Sequence, residues 1–479
     1  MTVVQPLHRA RFATHWEVST LLSPALPNDG VLLGMERFLL RRQFASVRRT
    51  KQRRELGHTL IVGPTRCGKG LLAESQLLTW RYPAIVNDIK GDLFSKTAGF
   101  RSWLGPVYVL DPTGKGHAYD PLAARTTEDA LFSSATHLLH HAEDKDPIFN
   151  QRATAMLTSI FLAARREQAP ALPYARALLG AGLRKCAERL HAVDPALATE
   201  FLDTDLEHSE LEGDHFLFST WGTIKARMRP LLTETVVRTL ARSDFTPEQI
   251  ITSDRPVTVY MCWQEQDLLA QAPLVKLLWG SLIDGMMHVY DQRAGQGCNP
   301  VMLLVDEAGR TAIPSLADHA TTIAGRCIFL WLAVQSLSQL VTVYGRERAQ
   351  TLRDNMESQI YYRPTDQDTA EYLERRLGRR SAYAHSTTER QDGQASESHA
   401  EQAVPLLTAQ DVQRLKDDEV IGFHRALPPF KLARMDWRQH PLLQRRRTVP
   451  PPKPPTLATL ADLPMMRSIS GAHYADPDR

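Results

Sequence analysis

Short apolar runs alternate with longer amphipathic stretches over most of this chain. Residues 59–62, 84–88, 107–110, 257–261, 301–305 and 328–334 are brief, apolar and rich in β-branched side chains. Helical spacing of apolar positions lies between them, at 69–80 and at 273–292. That alternation predicts an α/β fold, a mainly parallel sheet flanked by helices. Between 121 and 245 the strand signal nearly vanishes, and helical patterns occupy 128–142, 148–168, 174–193 and 214–241. An all-α segment is therefore expected to interrupt the α/β pattern. Further strands are predicted at 358–362, 419–423 and 430–434, with a helix at 366–377. Residues 381–403 are polar and aromatic-poor, which predicts a mobile loop. The prolines at 450–455 open a tail of polyproline character.

The first apolar run leads into the chemistry. It stops at Gly63, and Pro64, Thr65, Arg66 and Cys67 then lead to Gly68 and Lys69. Gly70, Leu71 and Leu72 open a helical pattern. A strand, a glycine-bounded loop and a helix start are what a phosphate-binding loop requires. Loop N–H groups and the helix N-terminus cradle an anion there, and Lys69 adds a point charge at the β- and γ-phosphates. For this stretch alone, a structural strand-to-helix turn is the alternative. Gly70 departs from the pattern, standing where a hydroxyl would ligate Mg²⁺.

The run 301–305 ends at Asp306 and Glu307. Two adjacent carboxylates at the end of a buried strand are costly without a cation. A nucleotide-driven motor uses such a pair: Asp306 holds Mg²⁺ through water, and Glu307 polarises the attacking water. Loop and acid pair together predict ATP hydrolysis. Gln335, at the end of 328–334, is placed either to report on the γ-phosphate or to satisfy a local backbone group. Asp88 and Asp111 also end strands, and turn-capping is their expected role. Cys67, among loop N–H groups and beside Lys69, is expected to be an acidic, reactive thiol.

Composition narrows the class. At 479 residues, 43% hydrophobic and 23% charged, the chain has the make-up of a soluble globular protein of about two to four domains. A net charge of only +3 means that any nucleic-acid contact must come from local patches. One candidate patch is Arg37, Arg41, Arg42, Arg48, Arg49, Lys51, Arg53 and Arg54. It reads either as the solvated face of a hairpin or as a contact for a phosphate backbone or anionic membrane surface. Cys67, Cys186, Cys262, Cys298 and Cys327 are odd in number and lack metal-ligand spacing, so reduced thiols are expected. His137, His140 and His141 share a helix face beside Glu143 and Asp144, and a plain helix surface is favoured over a metal site. Residues 1–26 have no apolar block after a basic start, and 328–334 is too short to span a bilayer. A cytoplasmic chain is expected.

Taken together, these residues resemble the TraG/TraD-type coupling ATPases of type IV secretion and conjugation. The likeness rests on the loop 63–70 and on segments 88–92, 109–114, 118–121, 243–245, 257–260, 305–307, 335–340, 404–408 and 418–423. These fall in consistent order over about 20–440. The resemblance implies a RecA-like P-loop ATPase domain interrupted by an all-α domain, with ATP and Mg²⁺ as ligands. It also implies a hexameric ring that delivers relaxase-bound single-stranded DNA, protein effectors or both to a secretion channel at the inner membrane. Arg326 matches where the family places an arginine reaching a neighbouring subunit's γ-phosphate.

The expected organisation is an N-terminal segment with a basic β-hairpin at 1–56, then the nucleotide-binding domain in two parts, 57–120 and 246–440. The all-α domain occupies 121–245, and a Pro-rich flexible tail 441–479. Most members carry two N-terminal transmembrane helices, which this sequence lacks. The expectation is therefore a cytoplasmic form recruited peripherally to the inner membrane, with the 37–54 patch and the tail as candidate docking sites. Two other readings stand beside the coupling motor. One is a soluble FtsK/HerA-like DNA translocase unconnected to secretion. The other is a nucleotide-gated adaptor that hydrolyses little. The helical insertion and the 404–423 ending favour the coupling motor, and the acid pair speaks against the adaptor.

Overall fold

The computed structural model describes residues 8–38, 41–50, 55–139, 147–206, 214–309, 313, 316–389 and 395–459. The chain divides into two compact units, one of residues 1–82, 302–310 and 316–449 and the other of 83–301, 311–315 and 450–479. In chain order the strands are β1 (Leu22–Ser23), β2 (Gly30–Phe38), β3 (Arg41–Arg48), β4 (Thr59–Val62), β5 (Ala84–Asn87), β6 (Val107–Leu110) and β7 (Thr258–Met261). They continue as β8 (Val301–Val305), β9 (Ile328–Val334), β10 (Ser358–Tyr361), β11 (Arg379–Glu389), β12 (Ala395–Pro405), β13 (Glu419–His424) and β14 (Phe430–Ala433).

In the first unit the strand order is β1-β3-β2-β14-β13-β10-β4-β9-β8. β4 lies parallel between β10 and β9, with Val62 opposite both Tyr361 and Val334. Every residue of β4, β8, β9 and β10 is buried. Burial on both faces is why these strands read as unbroken apolar runs. Beyond β10 the sheet turns antiparallel through β13, β14, β2 and β3. The links between β2 and β3 and between β13 and β14 are too short for the crossover that a parallel pair needs.

His58 ties β4 to its neighbour. Its Nδ1 accepts the Leu330 N–H at 3.0 Å, so Nε2 carries the proton and donates to the Ala320 carbonyl at 2.9 Å. Burial lowers its pKa to about 4, against the weaker raising effect of the Ala320 bond. Below pH 6.5 the unfolded chain therefore takes up a proton that folded His58 refuses. Stability should fall from pH 6.5 towards 4, by about 3 kcal/mol in all. Urea midpoints at pH 7.5 and pH 5 check this: His58→Gln should lose less on acidification than the wild type.

The helix Lys69–Thr79 packs Leu72, Ala73, Leu77 and Leu78 into the core. Its Gln76 side chain accepts from the Leu32 N–H at 2.7 Å and donates to the Gly30 carbonyl at 3.1 Å, locking the helix to β2. The tail is ordered behind this helix. Pro441–Arg447 is helical with Leu443 buried, and Arg446 donates to the Leu78 carbonyl at 2.6 Å. Arg447 stacks over Trp437 at 4.7 Å and lies 3.6 Å from Glu74. The flexible tail expected from residue 441 is thus corrected for these residues. Leu443 and three basic side chains in one helical turn supply contacts that proline content does not reveal.

The mobile loop expected at 381–403 is corrected as well. β11 and β12 pair antiparallel from Arg379↔Pro405 to Glu389↔Ala395. A ribbon polar along its length has no apolar alternation to announce it.

In the second unit β5, β7 and β6 are parallel neighbours. Among the described residues of 121–245 there are helices and no strand. The expected helix 174–193 is divided at Gly182, where φ is +101°, into Ala171–Ala181 and Leu183–Val193. The expected 214–241 is divided into His215–Leu231 and Glu234–Thr239. The two ends of this helical stretch meet: Ala118 and Asp244 exchange backbone and side-chain bonds of 2.8–2.9 Å, and Tyr119 stacks on Phe245 at 5.1 Å. Residues 455–458 are also held, by bonds from Gly116 N to the Pro455 carbonyl, from Leu457 N to Gly114, and from Arg238 to Leu457 and Ala458. Residues 460–479 lie outside the described residues. Among the described residues no helix is long and apolar enough to cross a membrane.

Candidate functional site

β4 delivers the loop 63–68 to the carboxyl edge of the first unit's sheet. Gly63 N–H continues the ladder to the Val334 carbonyl at 3.1 Å. A Cβ at Gly63 would sit 2.7 Å from Tyr362 Cβ and 2.8 Å from Cys67 Sγ, so only glycine fits that approach. Arg66 and Gly68 have φ of +64° and +115°. Left-handed residues in such a turn gather successive backbone N–H groups around a common point, the geometry of an anion cradle. Lys69 is buried, and its ammonium reaches back to the carbonyls of Pro64, at 2.9 Å, and Gly63. Thr65, Arg66 and Gly70 are exposed and Leu71 is half-buried. A Cβ at Gly70 would meet nothing within 4 Å, so the missing hydroxyl reflects residue choice and not lack of room.

Asp306 and Glu307 follow β8 directly. Ala308 N–H donates to the Ala333 carbonyl at 2.9 Å, which sets the acid pair beside the end of β9. Glu307 N–H bonds Asp306 Oδ1 at 3.0 Å, and Glu307 itself has φ of +53°. A non-glycine residue held there costs roughly 1–2 kcal/mol, and such strain concentrates at working sites. Gln335, half-buried, directly follows β9, which lies between the loop strand and the acid strand. Its backbone N–H goes to Gln339 Oε1 at 3.0 Å, so the local backbone is served by Gln339. Strands lie about 4.8 Å apart, so β4 and β8, with β9 between them, place loop and acids roughly 10 Å apart.

Arg326 is not brought to this edge. It closes a short 3-10 turn, Ala324–Arg326, before the amino end of β9, with Nη1 on the Thr322 carbonyl at 3.2 Å. β9 then runs about 20 Å to Gln335. Within its own chain, Arg326 lies a full strand length from the loop. Asp88 accepts from Phe94 N–H at 2.6 Å and Asp111 from Thr113 N–H at 2.8 Å, so both cap turns. His140, His141, Glu143 and Asp144 lie outside the described residues, as do Lys51, Arg53 and Arg54.

The acidic thiol expected at Cys67 is corrected. Burial against Gly63 and Tyr362 pushes its pKa up, and this outweighs the lowering by Lys69 and the loop N–H groups. Cys67 should therefore react with iodoacetamide more slowly than free cysteine at pH 7.5, gaining only above the pH at which free cysteine ionises. Site-resolved mass spectrometry against pH measures this directly, and half-labelling ahead of free cysteine would contradict it. Two neighbours of the loop lie outside its sequence motif. Tyr362 is fully buried against Gly63, and Arg434 lies along Gly68 with Nη1 directed at the Cys67 carbonyl, 3.4 Å away. Both follow directly on short strands, β10 and β14, which is the only sequence signal they carry.

Comparison with known proteins places this geometry. Residues 38–455 match the family described as type IV secretory system conjugative DNA transfer. The chain is 25% identical over 429 residues to Protein VirD4 of Rhizobium radiobacter, covering 82% of this chain and 58% of that protein. It is 26% identical over 415 residues to Conjugal transfer protein TraG of Escherichia coli, covering 75% and 61% respectively. The chain thus spans about three fifths of the length of the curated relatives it matches. Among solved structures it is similar to plasmid coupling protein TrwB, solved in complex with ADP and Mg²⁺. The TM-score is 0.64 at 18% identity, over 90% of this chain and 95% of that one. At that identity the likeness is one of fold, and the fold is RecA-like.

Proposed function

The chain belongs to the type IV secretory system conjugative DNA transfer family, and from that premise we propose that it is an ATP-driven coupling motor. The observation that carries this reading is the convergence of the loop 63–70, the pair Asp306–Glu307 and Gln335 on one edge of the first unit's sheet. The residues fit a Mg²⁺-nucleotide: a glycine-shaped cradle, a buried lysine and two adjacent acids. The complex of TrwB with ADP and Mg²⁺ supports the same ligands here. Loop N–H groups and Lys69 hold the triphosphate, and Asp306 holds the metal through water. Glu307 takes the proton of the attacking water, and Gln335 reads the γ-phosphate. When bound, Mg²⁺ neutralises charge on the β- and γ-oxygens. Arg326 serves the site of a neighbouring copy, which requires a ring, a hexamer in this reading.

The cargo is relaxase-bound single-stranded DNA, protein effectors or both, passed to a secretion channel at the inner membrane. The family description and the name of the relative Conjugal transfer protein TraG support transfer as the purpose of the motor. ATPase activity against protein concentration, with and without single-stranded DNA, tests the proposal. Activity per subunit should rise cooperatively with concentration and increase further with single strands. Stimulation by duplex DNA alone would favour a translocase unconnected to secretion. Absence of turnover at every concentration would overturn the motor.

A further inference from the structure

The loop has a second cation on its other side. β10 runs parallel to β4, β13 antiparallel to β10, and β14 antiparallel to β13. β14 therefore points the same way as β4, and Arg434, the residue after it, emerges at the edge that carries the loop. Its backbone is fixed there by a bond from Arg434 N–H to the Asp418 carbonyl at 2.8 Å. Its side chain runs along Gly68: a Cβ on that glycine would lie 3.3 Å from Arg434 Cδ and 3.7 Å from Nη1.

The guanidinium is under-used for its position. It is half-buried and donates through Nη1 alone to two backbone carbonyls, Cys67 at 3.4 Å and Asp417 at 3.3 Å, both long. The carboxylates next to it are committed elsewhere, Asp417 to Arg363 and Asp418 to Arg37, each at 3.0 Å. Among the described residues no carboxylate lies within ion-pair distance of Arg434 itself. A guanidinium has five donors in a fork that matches phosphate oxygens.

Position decides which phosphate it can serve. In the order β14-β13-β10-β4-β9-β8, Arg434 is on the flank of the loop away from Gln335, Asp306 and Glu307. It borders the Cys67–Gly68 turn, in the part of such loops that cradles the α- and β-phosphates. A γ-phosphate held by Lys69 would lie on the side of the acids.

We propose that Arg434 is a nucleotide-binding residue acting within its own subunit, its guanidinium closing over the Cys67–Gly68 turn onto the α- and β-phosphates. This rests on the reading of the site as an ATP site. The α- and β-phosphates remain after cleavage, so Arg434 sets affinity for ATP and ADP alike and contributes little to the chemical step. In this it is the opposite of Arg326.

The competing role is a strut that stiffens the loop through the Cys67 carbonyl. The split between KM and kcat separates the two, because a loosened loop would lower kcat together with affinity, whereas a lost phosphate contact raises KM and leaves kcat in place. Binding of ADP and of ATP to the wild type, Arg434→Gln and Arg434→Lys would be measured by calorimetry, together with kcat and KM. Arg434→Gln should weaken both nucleotides by a similar factor of at least ~10. Its KM should rise while kcat at saturating ATP stays within about twofold of wild type, as expected when uniform binding is lost. Arg434→Lys should recover part of the affinity. Wild-type affinity for ADP in Arg434→Gln, or a loss confined to kcat, would overturn the proposal and leave the ATP site standing. Failure of the wild type to bind either nucleotide would overturn both.

Discussion

Replacing Glu307 with glutamine is expected to cut ATP turnover by about 10²–10⁴-fold and to leave ATP binding in place. Glutamine keeps the length of the side chain and its hydrogen-bonding capacity but cannot take a proton. The backbone makes this residue a sharper candidate than its neighbour. Glu307 is held at φ +53° two residues beyond a fully buried strand, while its N–H is occupied by Asp306 Oδ1. Strain of that kind has to be offset by packing, and at a site of no consequence glycine or asparagine would remove it. Glu307→Gly is the informative companion. It should lose turnover as fully as the glutamine variant yet unfold no more easily, because glycine accepts that φ without strain. Single-turnover hydrolysis and calorimetric ATP binding on both variants separate chemistry from binding. Normal hydrolysis by Glu307→Gln would mean that the base lies elsewhere.

How far the site was legible in the sequence follows from how its strands are buried. β4, β8 and β9 are covered on both faces, so each appears as an uninterrupted apolar run with its functional residue at the end: Gly63, Asp306 and Gln335. The sequence carries these positions because position along the chain and position at the sheet edge coincide. Contacts made across the chain carry no such local mark. Arg434 meets Cys67 from 367 residues away, and Arg446 meets Leu78 from 368. The Cys67 thiol illustrates the same limit in electrostatics. Lys69 and the loop N–H groups are visible as sequence neighbours, but the desolvation that dominates comes from burial against Tyr362, which only folding supplies. The ribbon β11–β12 is illegible in the sequence for a different reason, since polar residues conceal the two-residue period that marks a strand.

Arg326→Ala is expected to lower turnover by about 10³–10⁵-fold, with nucleotide binding by isolated subunits unchanged. The structure makes a strong condition of this prediction. Arg326 precedes β9, whose far end carries Gln335, so it stands at the opposite edge of the sheet from the loop of its own chain. A finger at that edge would have to serve the phosphate of a second copy. Complementation therefore tests the arrangement. Lys69→Ala subunits keep the finger and lack the binding lysine, and Arg326→Ala subunits have the reverse. Each alone should be inactive. In randomly mixed closed rings about a quarter of the sites would join an intact loop to an intact finger, and roughly that share of wild-type activity should return. No recovery on mixing, with assembly verified by light scattering, would mean that Arg326 is no finger and only supports the turn before β9. Recovery would also fix the direction of the ring. Each finger would have to reach from the amino edge of one sheet to the carboxyl edge of the next, which is a head-to-tail contact and closes only by rotation.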